Sequence, residues 1–400
     1  MNRPATSLRM MAVAWCALAI GVAVAVPLGS TSAAGEPSRS LLQADVLPQK
    51  PKTPSPEAWR AIWNHSGTGA YPGNWDRSAR LLDERGFNVV LPNMLSPTTA
   101  HYPSDVLPRS QTFRRHGDQV AGCLKAARRH GLQVHVWMVC YKCLGATRDR
   151  LDELERDGRL QVSAQGEVLD WLCPSSPENL RLLVAAVEEL LDRYAVDGLH
   201  LDYIRYPGRK GCYCDGCRRR FQAQSPQGRV RRWPTDCFNG ERSKEYADWR
   251  RQRVTGLVER IRNACRRHGA GQGGAVVLSA AVFGYYPDCR NSFAQDWGHW
   301  VQRGLLDVVC PMNYTERLDE FTLLVRRQVK TVGRRARLCP GIGAAAAGVS
   351  LSAKQVEEQI DAARQLHTDG FTVFDLTPAT AERLLPKLQV ANEAREDEAR

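Results

Sequence analysis

The sequence lacks three features that would assign it to common functional classes. After residue 26 it has no apolar run long enough to cross a bilayer, so no further membrane span is expected. No Gly-rich phosphate-binding fingerprint follows any predicted strand, which disfavours a nucleotide-binding, doubly wound sheet. Basic residues are not interleaved with aromatic residues as they are in nucleic-acid-binding motifs. We therefore expect neither a dinucleotide cofactor nor a nucleic-acid partner.

The first 34 of the 400 residues have the layout of a signal peptide. Arg3 and Arg9 precede the apolar stretch 10–26, and the small residues 32–34 form a cleavage site. The alternative is an uncleaved anchor, because the apolar run is near the lower limit for crossing a bilayer. In either case we expect an exported protein, secreted or held in the periplasm or cell envelope. It would contact a membrane only if the leader is retained.

Composition divides the remaining chain into three parts. Residues 35–56 contain five prolines and few apolar residues, which predicts an extended, Pro-rich linker. Residues 57–390 are long enough for one large barrel with a substantial core. Residues 391–400 are highly charged and predict a frayed tail.

The excess positive charge is concentrated in one segment. Residues 205–267 hold 18 Lys and Arg against 6 Asp and Glu, so this segment accounts for the whole net charge of +12. One interpretation is a basic surface for a polyanion, or for a glycan that bears carboxylates. The other is an Arg-rich, solvated helix that keeps the protein soluble. The sequence leaves both open.

Twelve of the 13 cysteines follow the leader, an even number that permits full pairing in an oxidising compartment. Cys212, Cys214 and Cys217 are closely spaced, which suits a structural zinc ion with Cys237 or Cys265 as fourth ligand. The spacing suits disulfides to those same two residues almost as well, and for an exported protein disulfides are slightly favoured. Four further cysteines lie in or beside apolar segments and predict small buried side chains: Cys140, Cys173, Cys310 and Cys339.

Short apolar runs rich in β-branched residues alternate with longer amphipathic stretches. The predicted strands are 59–64, 87–93, 133–140, 198–203, 275–283, 307–313, 337–342 and 371–375. The predicted helices are 75–85, 118–130, 177–194, 241–268, 293–303, 318–332, 352–367 and 380–388. About eight repeats predict an α/β fold, a (β/α)8 TIM barrel with a cysteine-containing insertion after the fourth strand. The main alternative is an open, doubly wound sheet.

Residues 197–207, Asp-Gly-Leu-His-Leu-Asp-Tyr-Ile-Arg-Tyr-Pro, are the most informative segment. Pro207 cannot continue a strand, so Asp202, Arg205 and Tyr206 are expected at the strand's C-terminal end, where barrel enzymes carry out chemistry. Alternation turns Asp202 and His200 towards the barrel interior. We expect His200 to be a hydrogen-bonded core residue. Asp202 is either a catalytic carboxylate or a buried partner of Arg205 that fixes the loop.

The other strand ends supply carboxylates, amides and aromatic rings. Such a set suits a sugar site, because rings stack on pyranose faces while amides and carboxylates bond to hydroxyl groups. Trp137, on the third strand, suits barrel filling equally well. The candidate residues are Asn93, His101, Tyr102, Trp137, Tyr141, Asp288, Asp296, Asn313, Tyr314, Glu316 and Asp375.

The chain resembles the bacterial glycosyl-hydrolase-like family 10 proteins. Residues 197–207 look like that family's hallmark strand, and further segments look like family segments in family order: 100–104, 135–137, 212–217, 295–297 and 310–315. The resemblance implies a TIM barrel that acts on a cell-wall or extracellular polysaccharide, with Asp202 as the leading catalytic carboxylate. Many relatives carry Asp where this chain has Tyr203, and others carry Asp in place of Asn313. An enzyme that relied on either position would be impaired.

Glycoside hydrolysis normally needs two carboxyl groups, one to protonate the leaving oxygen and one to attack or to activate water. We expect Asp202 to be the nucleophile or base, kept ionised by Arg205. Asp288 and Asp296 follow the neighbouring fifth strand and are the first choices for the acid, with Glu316 and Asp375 next. This route requires no cofactor.

Two other functions fit the same sequence. A non-catalytic glycan-binding barrel would use the same polar and aromatic residues at the strand ends, but only to bind the glycan. A metal-dependent hydrolase would use the cluster of Cys212, Cys214 and Cys217, but thiolate-rich metal sites are usually structural. A glycosidase is therefore the function that the sequence favours.

Overall fold

A closed barrel of eight parallel strand positions forms the centre of the computed structural model, which describes residues 58–272, 275–346, 348–388 and 390. The predicted leader (1–34), linker (35–56) and tail (391–400) lie outside the described residues, and the predicted domain boundaries stay predictions. The strands are β1 Trp59–Asn64, β2 Val89–Ser96, β3 Thr99–Ala100, β4 Gln133–Val139, β5 Leu160–Val162, β6 Val168–Leu172, β7 Gly198–Asp202, β8 Val277–Phe283, β9 Val308–Met312, β10 Arg337–Leu338, β11 Gly341–Ile342, β12 Ala345–Ala346, β13 Val349–Ser350 and β14 Gly370–Val373.

Helices surround this barrel. They are α1 Trp75–Glu84, α2 Gln111–His116, α3 Gln119–Arg129, α4 Arg148–Arg156, α5 Pro177–Arg193, α6 Asp215–Gln224, α7 Thr235–Phe238, α8 Ser243–Gln272, α9 Tyr286–Ser292, α10 Trp297–Gln302, α11 Leu318–Val332, α12 Ala353–Gln365 and α13 Pro378–Arg383, followed by the 3-10 turn Leu385–Lys387. None of the described helices is long and apolar enough to cross a membrane.

The parallel pairing runs from β1 through β2, β4, β7, β8, β9 and β11 to β14, and β14 returns to β1. The short strands β10 and β11 share the seventh position, and Pro340, which has no N–H to donate, lies between them. Hairpins β5–β6 and β12–β13 lie outside the barrel sheet. The structure therefore confirms the predicted TIM barrel. The segment between β7 and α8 contains α6, α7 and the cysteines Cys212, Cys214 and Cys217.

Two apolar layers hold the barrel together. Inside it, bulky side chains such as Trp59, Trp63 and Trp137 form one cluster, and a larger cluster packs the outer strand faces against the helices. On β7, Leu199 and Leu201 belong to the outer cluster. This alternation turns the remaining residues of β7 inward, as a strand of period two requires.

His200 is a hydrogen-bonded core residue, as predicted. Its Nε2 accepts from Trp63 Nε1 at 2.8 Å, and its Nδ1 lies 2.8 Å from Ser279 Oγ. Burial lowers the pKa of His200 to about 3, so the ring is neutral at physiological pH. Both ring nitrogens of His200 therefore have partners, and Asp202 lies two residues further along the strand.

Local sequence explains where the elements begin. In α5, Ser176 Oγ accepts the Asn179 N–H at 3.3 Å and Pro177 occupies the first turn, where its missing N–H costs nothing. At the opposite end of the barrel from the site, the Asp307 carboxylate accepts the Leu278 N–H at 2.8 Å and pairs with Arg262. Such contacts at the start of a strand stabilise the fold.

Candidate active site

Asp202 is the last residue of β7, and it is almost fully buried, with 6% of its surface exposed. Burial raises the pKa of Asp202 to about 6, while the charge of Arg205, the Tyr203 N–H and the Trp137 indole act in the opposite direction. Tyr203 N donates to Asp202 Oδ1 at 2.6 Å, and Tyr203 itself has a left-handed φ of 48°. A bulky residue in that region is uncommon and is held there by its surroundings.

The Arg205 guanidinium lies among aromatic rings and acts on Asp202 through its charge, not through a direct ion pair. The distances from its central carbon to the ring centroids are 4.6 Å for Phe283, 4.9 Å for Tyr203 and 5.2 Å for Trp171. Cation–π attraction stabilises the buried cation in this cage. Arg205 therefore fixes both the local electrostatic field and the shape of the loop after β7.

Asp375 is a second buried carboxyl group, two residues after β14, with 7% of its surface exposed. Burial raises its pKa to about 6, opposed only by backbone N–H groups, that of His65 first among them. Its backbone carbonyl accepts from Thr380 Oγ1 at 2.7 Å, which fixes the loop into α13. Unlike Asp202, Asp375 has no cation among the described groups that lower its pKa.

Tyr314, two residues after β9, links the two carboxyl groups. After burial, the charges of Asp202 and Asp375 are the largest causes that raise the pKa of its phenol, so both carboxylates are within electrostatic reach of one hydroxyl. Asp202 ends the fourth barrel strand and Asp375 follows the eighth, and these positions are opposite each other in the closed barrel. The two residues therefore lie at the C-terminal end of the barrel strands, on opposite sides of it.

Aromatic rings connect the residues around this opening. Ring centroids are 5.5 Å apart for Tyr314 and Phe374, 6.5 Å for Phe374 and His65, and 5.7 Å for His65 and Trp137. Trp63 lies beneath them, 6.1 Å from Phe374. His65 is exposed, and Tyr314 and Phe374 are partly exposed. These are surfaces on which a sugar ring can stack.

The carboxylates expected to act as the acid lie in other surroundings. Asp288 is exposed on α9 and accepts from Ser292 Oγ at 2.8 Å. Asp296 is buried, but Tyr286 and Arg290 donate to it and Arg251 lies 3.9 Å away. The Asp296 carboxylate is thus already engaged by one tyrosine and two arginines.

Glu316 is exposed and accepts the Ser350 N–H of β13 at 3.4 Å. Because Glu316 is exposed whereas Asp375 is buried, Asp375 is the better candidate for the acid.

Three of the predicted binding residues lie at the inner end of the site. Asn93 and Trp137 are paired across β2 and β4, and both are buried. His101 lies against Gly67 in the loop after β1, and burial lowers its pKa to about 4. Trp137 belongs to the interior cluster, and it also stabilises ionised Asp202. It therefore both fills the barrel and contributes to the site.

The remaining predicted binding residues are in the core. Tyr102, Tyr141 and Tyr206 are almost fully buried in the layer between barrel and helices, with Tyr206 beneath the guanidinium of Arg250 at 4.1 Å. Asn313 exchanges two hydrogen bonds with Gln328 of α11, at 3.0 and 2.7 Å. The structure does not bring these side chains to the opening, because the chain turns them outward beyond the strand ends.

The cysteine cluster has four members, and the fourth is Cys173. The sulfur atoms of Cys173, Cys212, Cys214 and Cys217 all lie within 4.8 Å of one another, and all four residues are buried. None of the twelve cysteines in the described residues forms a disulfide, so the slightly favoured disulfide prediction is wrong for this structure. Neither Cys237 nor Cys265, the residues expected as fourth ligand, belongs to the cluster. Cys173 was expected as a small buried side chain; it is buried, and it is also the fourth member. Cys265 lies instead near Asp307, at the start of β9.

The basic segment is largely tied into the fold. Arg242 pairs with Glu245, Arg262 with Asp307 and Arg267 with Glu188. Arg250 is buried and donates to the Gly208 carbonyl at 2.6 Å. For these residues a role in the fold explains the charge better than a binding surface does.

Sequence reasoning missed the contributions of Trp171, Tyr203 and Phe374. Trp171 lies on β6, whose alternation and preceding Gly166 were a usable hairpin signal. Tyr203 and Phe374 border the two carboxylates directly in sequence, but their orientation depends on backbone geometry at the strand ends.

Comparison with known proteins agrees with the fold. Among curated proteins the chain is 25% identical, over 264 residues, to the glycosyl hydrolase YngK of Bacillus subtilis strain 168, covering 59% of this chain and 48% of YngK. It is also 25% identical, over 269 residues, to the glycosyl hydrolase DigH of Escherichia coli K12, covering 58% of this chain and 56% of DigH. The chain thus spans about half the length of the curated relatives it matches.

Solved structures show the same architecture. The glycoside hydrolase domain of PgaB (BpsB) from Bordetella bronchiseptica matches with a TM-score of 0.65 and 14% identity, covering 84% of this chain and all of that domain. The α-L-fucosidase isoenzyme 2 of Paenibacillus thiaminolyticus matches with a TM-score of 0.59 and 17% identity, covering 86% of this chain and 50% of the fucosidase. At these identities the likeness establishes the fold alone.

The family match is more specific. Residues 70–356, well over half of the chain, match the family described as Glycosyl hydrolase-like 10. This stretch includes the hallmark strand 197–207 and most of the barrel, so the resemblance inferred from the sequence is confirmed. The chain belongs to the glycosyl hydrolase-like 10 family.

Proposed function

We propose that the protein is an exported glycoside hydrolase that cleaves a cell-wall or extracellular polysaccharide by means of Asp202 and Asp375. The observation that carries the proposal is the pair of buried carboxyl groups, each with its pKa raised to about 6, that act on the same Tyr314 phenol. Family membership supports the reaction class. The signal-peptide layout of residues 1–34 supports export.

The two environments favour different roles. Arg205, the Tyr203 N–H and Trp137 all favour ionised Asp202, which suits the nucleophile or the base that activates water. No cation of the described chain lowers the pKa of Asp375, and only backbone N–H groups oppose the rise that burial causes, which suits the protonated general acid. Asp375 therefore replaces Asp288 and Asp296 as our choice of partner for Asp202. No cofactor takes part in this reaction.

The partly exposed rings support a sugar as the ligand. A pyranose stacked on Tyr314 or Phe374 would lie beside both carboxyl groups, and Asn93 would offer an amide at the inner end. Buried and paired arginines in the basic segment mean that the proposal does not depend on an anionic sugar.

A panel of glycans, peptidoglycan included, tests the proposal. The purified protein is incubated with each glycan beside Asp202→Asn and Asp288→Asn, and new reducing ends and bound glycan are both measured. We expect cleavage by the wild type and by Asp288→Asn, and a loss of about 100-fold or more in Asp202→Asn. Undiminished cleavage by Asp202→Asn would overturn the mechanism. Binding without turnover in all three proteins would favour the glycan-binding barrel instead.

A further inference from the structure

We propose that Cys173, Cys212, Cys214 and Cys217 bind one zinc ion in a closed structural site. Cys173 Sγ lies 3.8 Å from Cys212 Sγ, 3.8 Å from Cys214 Sγ and 3.5 Å from Cys217 Sγ. Zn–S bonds of about 2.3 Å in a tetrahedron place the sulfur atoms about 3.8 Å apart. The three distances from Cys173 Sγ thus match the spacing in a zinc tetrathiolate, and the other sulfur atoms lie within 4.8 Å of one another.

The same distances disfavour disulfides in this arrangement. A disulfide brings two sulfur atoms to about 2.05 Å, well below the separations of Cys173 Sγ from its three neighbours. Cys173 is also near all three other sulfur atoms at once, whereas a disulfide would single out one of them. A central ion explains this four-fold convergence, and pairwise bonds do not.

Hydrogen-bond donors point at the sulfur atoms, as expected for thiolates. Val162 N donates to Cys212 Sγ at 3.4 Å, and Cys217 N donates to Cys214 Sγ at 3.4 Å, where Cys214 is the N-cap of α6. Ser175 Oγ lies 3.2 Å from both Cys173 Sγ and Cys217 Sγ. These groups would stabilise the negative charge that thiolate ligands keep after binding zinc.

The guanidinium of Arg220 lies next to the Ser175 hydroxyl. Arg220 donates to Ser175 Oγ through Nε at 3.1 Å and through a terminal nitrogen at 3.0 Å. Four thiolates and one Zn²⁺ carry two net negative charges, and a nearby guanidinium lowers the cost of burying them. The donor set is complete with four thiolates, so the ion has no open position for substrate and is structural.

The position of the cluster gives the ion a role. Cys173 immediately follows β6, in the connection after the third barrel strand, and the other three cysteines lie in the connection after the fourth. Backbone bonds join the same two connections, with Tyr213 N donating to the Val162 carbonyl at 2.7 Å. Because β6 carries Trp171, which covers Arg205 and packs on Tyr203, the ion would fix the wall of the site next to Asp202.

Metal content tests this proposal independently of any glycosidase activity. The full chain is purified without added metal, and its metals are measured by mass spectrometry beside Cys173→Ser and the control Cys237→Ser, a buried cysteine outside the cluster. We expect about one zinc per chain in the wild type and the control, and at least a tenfold loss in Cys173→Ser. X-ray absorption at the zinc edge of the wild type should show four sulfur ligands at about 2.3 Å.

The wild-type measurements keep the proposal falsifiable if Cys173→Ser does not fold. A metal-free protein whose intact mass shows one hydrogen lost from each of the four thiols would overturn it in favour of disulfides. Iron in place of zinc, nitrogen or oxygen ligands at the edge, or full zinc retention by folded Cys173→Ser would also overturn it.

Discussion

At the scale of single residues, the carboxyl group proposed to act in catalysis, that of Asp202, also lowers the stability of the fold. Its carboxyl group is buried to 6% exposure, and the Arg205 cation does not fully compensate, so its pKa stays raised at about 6. A carboxyl group in this state binds its proton more tightly in the folded protein than in the unfolded chain. Folding is therefore penalised at every pH at which the unfolded chain ionises this carboxyl group.

We predict that Asp202→Asn stabilises the protein at pH 7.5. The pKa rises from 3.8 to about 6 on folding, so the penalty is absent below pH 3.8, grows up to pH 6 and is constant above it. Two pKa units correspond to about 3 kcal/mol, an upper estimate for the gain. Urea unfolding followed by tryptophan fluorescence at pH 7.5 and at pH 3.8 measures it.

The matched control is Asp288→Asn, which alters an exposed carboxylate and should change the free energy of unfolding by about 0.5 kcal/mol or less. A destabilised Asp202→Asn at pH 7.5 would show that the carboxylate holds the loop together instead of straining it.

We also predict a narrow, bell-shaped pH dependence of kcat/KM near pH 6. Asp202 must be ionised, so activity falls as pH drops through about 6, and Asp375 must be protonated, so activity falls as pH rises through about 6. Arg205→Met removes a charge that lowers the pKa of Asp202, which moves the acidic limb to higher pH. Initial rates across the pH range measure both limbs.

Arg205→Lys keeps the charge and should leave the acidic limb close to its wild-type position. An acidic limb that does not move in Arg205→Met would mean that Asp202 is not the group titrating there.

The residue scale also separates what the sequence could predict from what it could not. The inward orientation of Asp202 followed from period-two alternation along β7, and Leu199 and Leu201 do face the helices. The choice between Asp296 and Asp375 depended on partners distant in sequence. Asp296 meets Arg251, which lies on α8, and Asp375 meets the backbone of His65. No local pattern reports such contacts.

At the scale of secondary-structure elements, the turn after β11 positions Tyr314. A Cβ added to Gly343 would lie 2.9 Å from ring atoms of Tyr314, closer than carbon atoms tolerate. We predict that Gly343→Ala displaces the ring and lowers kcat about 10- to 100-fold, because small misplacements near reacting groups are costly. Steady-state kinetics measures this loss, and far-UV circular dichroism should be unchanged.

Gly256→Ala is the matched control, since its added Cβ meets no other residue and alanine favours the helix α8. It should keep wild-type kcat and gain about 0.5–1 kcal/mol in the free energy of unfolding. Wild-type kcat in Gly343→Ala would show that the Tyr314 position does not matter for turnover.

Elements with a strong apolar period were predictable, and those fixed by tertiary contact were not. β1 and α11 coincide with their predicted ranges of 59–64 and 318–332. β2 extends past its predicted end because β3 pairs with it in an antiparallel bridge. The predicted helix 293–303 is shortened to α10 and preceded by α9, whose seven residues leave only Cys289 buried and so show no apolar period.

At the scale of the whole molecule, barrel closure creates the site. The sequence separates Asp202 from Asp375 by 173 positions, and only the pairing of β14 with β1 brings the eighth strand round to face the fourth. The number and order of strands were predictable from the alternation of elements. The partner of Asp202 was not, because it depends on which strand ends share one opening.

We propose that Asp202 and Asp375 divide the roles of nucleophile or base and general acid. Values of kcat/KM for Asp375→Asn, Asp202→Asn and Asp288→Asn on two substrates of the sugar that the panel identifies test this division of roles. One is the natural glycan, and the other is an aryl glycoside whose leaving group needs no protonation. Loss of a general acid harms only the substrate with the poor leaving group.

We predict that Asp375→Asn loses about 100-fold or more on the glycan and less than tenfold on the aryl glycoside. Asp202→Asn should lose activity on both substrates, and Asp288→Asn should lose none. Equal losses of Asp375→Asn on both substrates, or wild-type rates on the glycan, would contradict the proposed pairing of these two carboxyl groups.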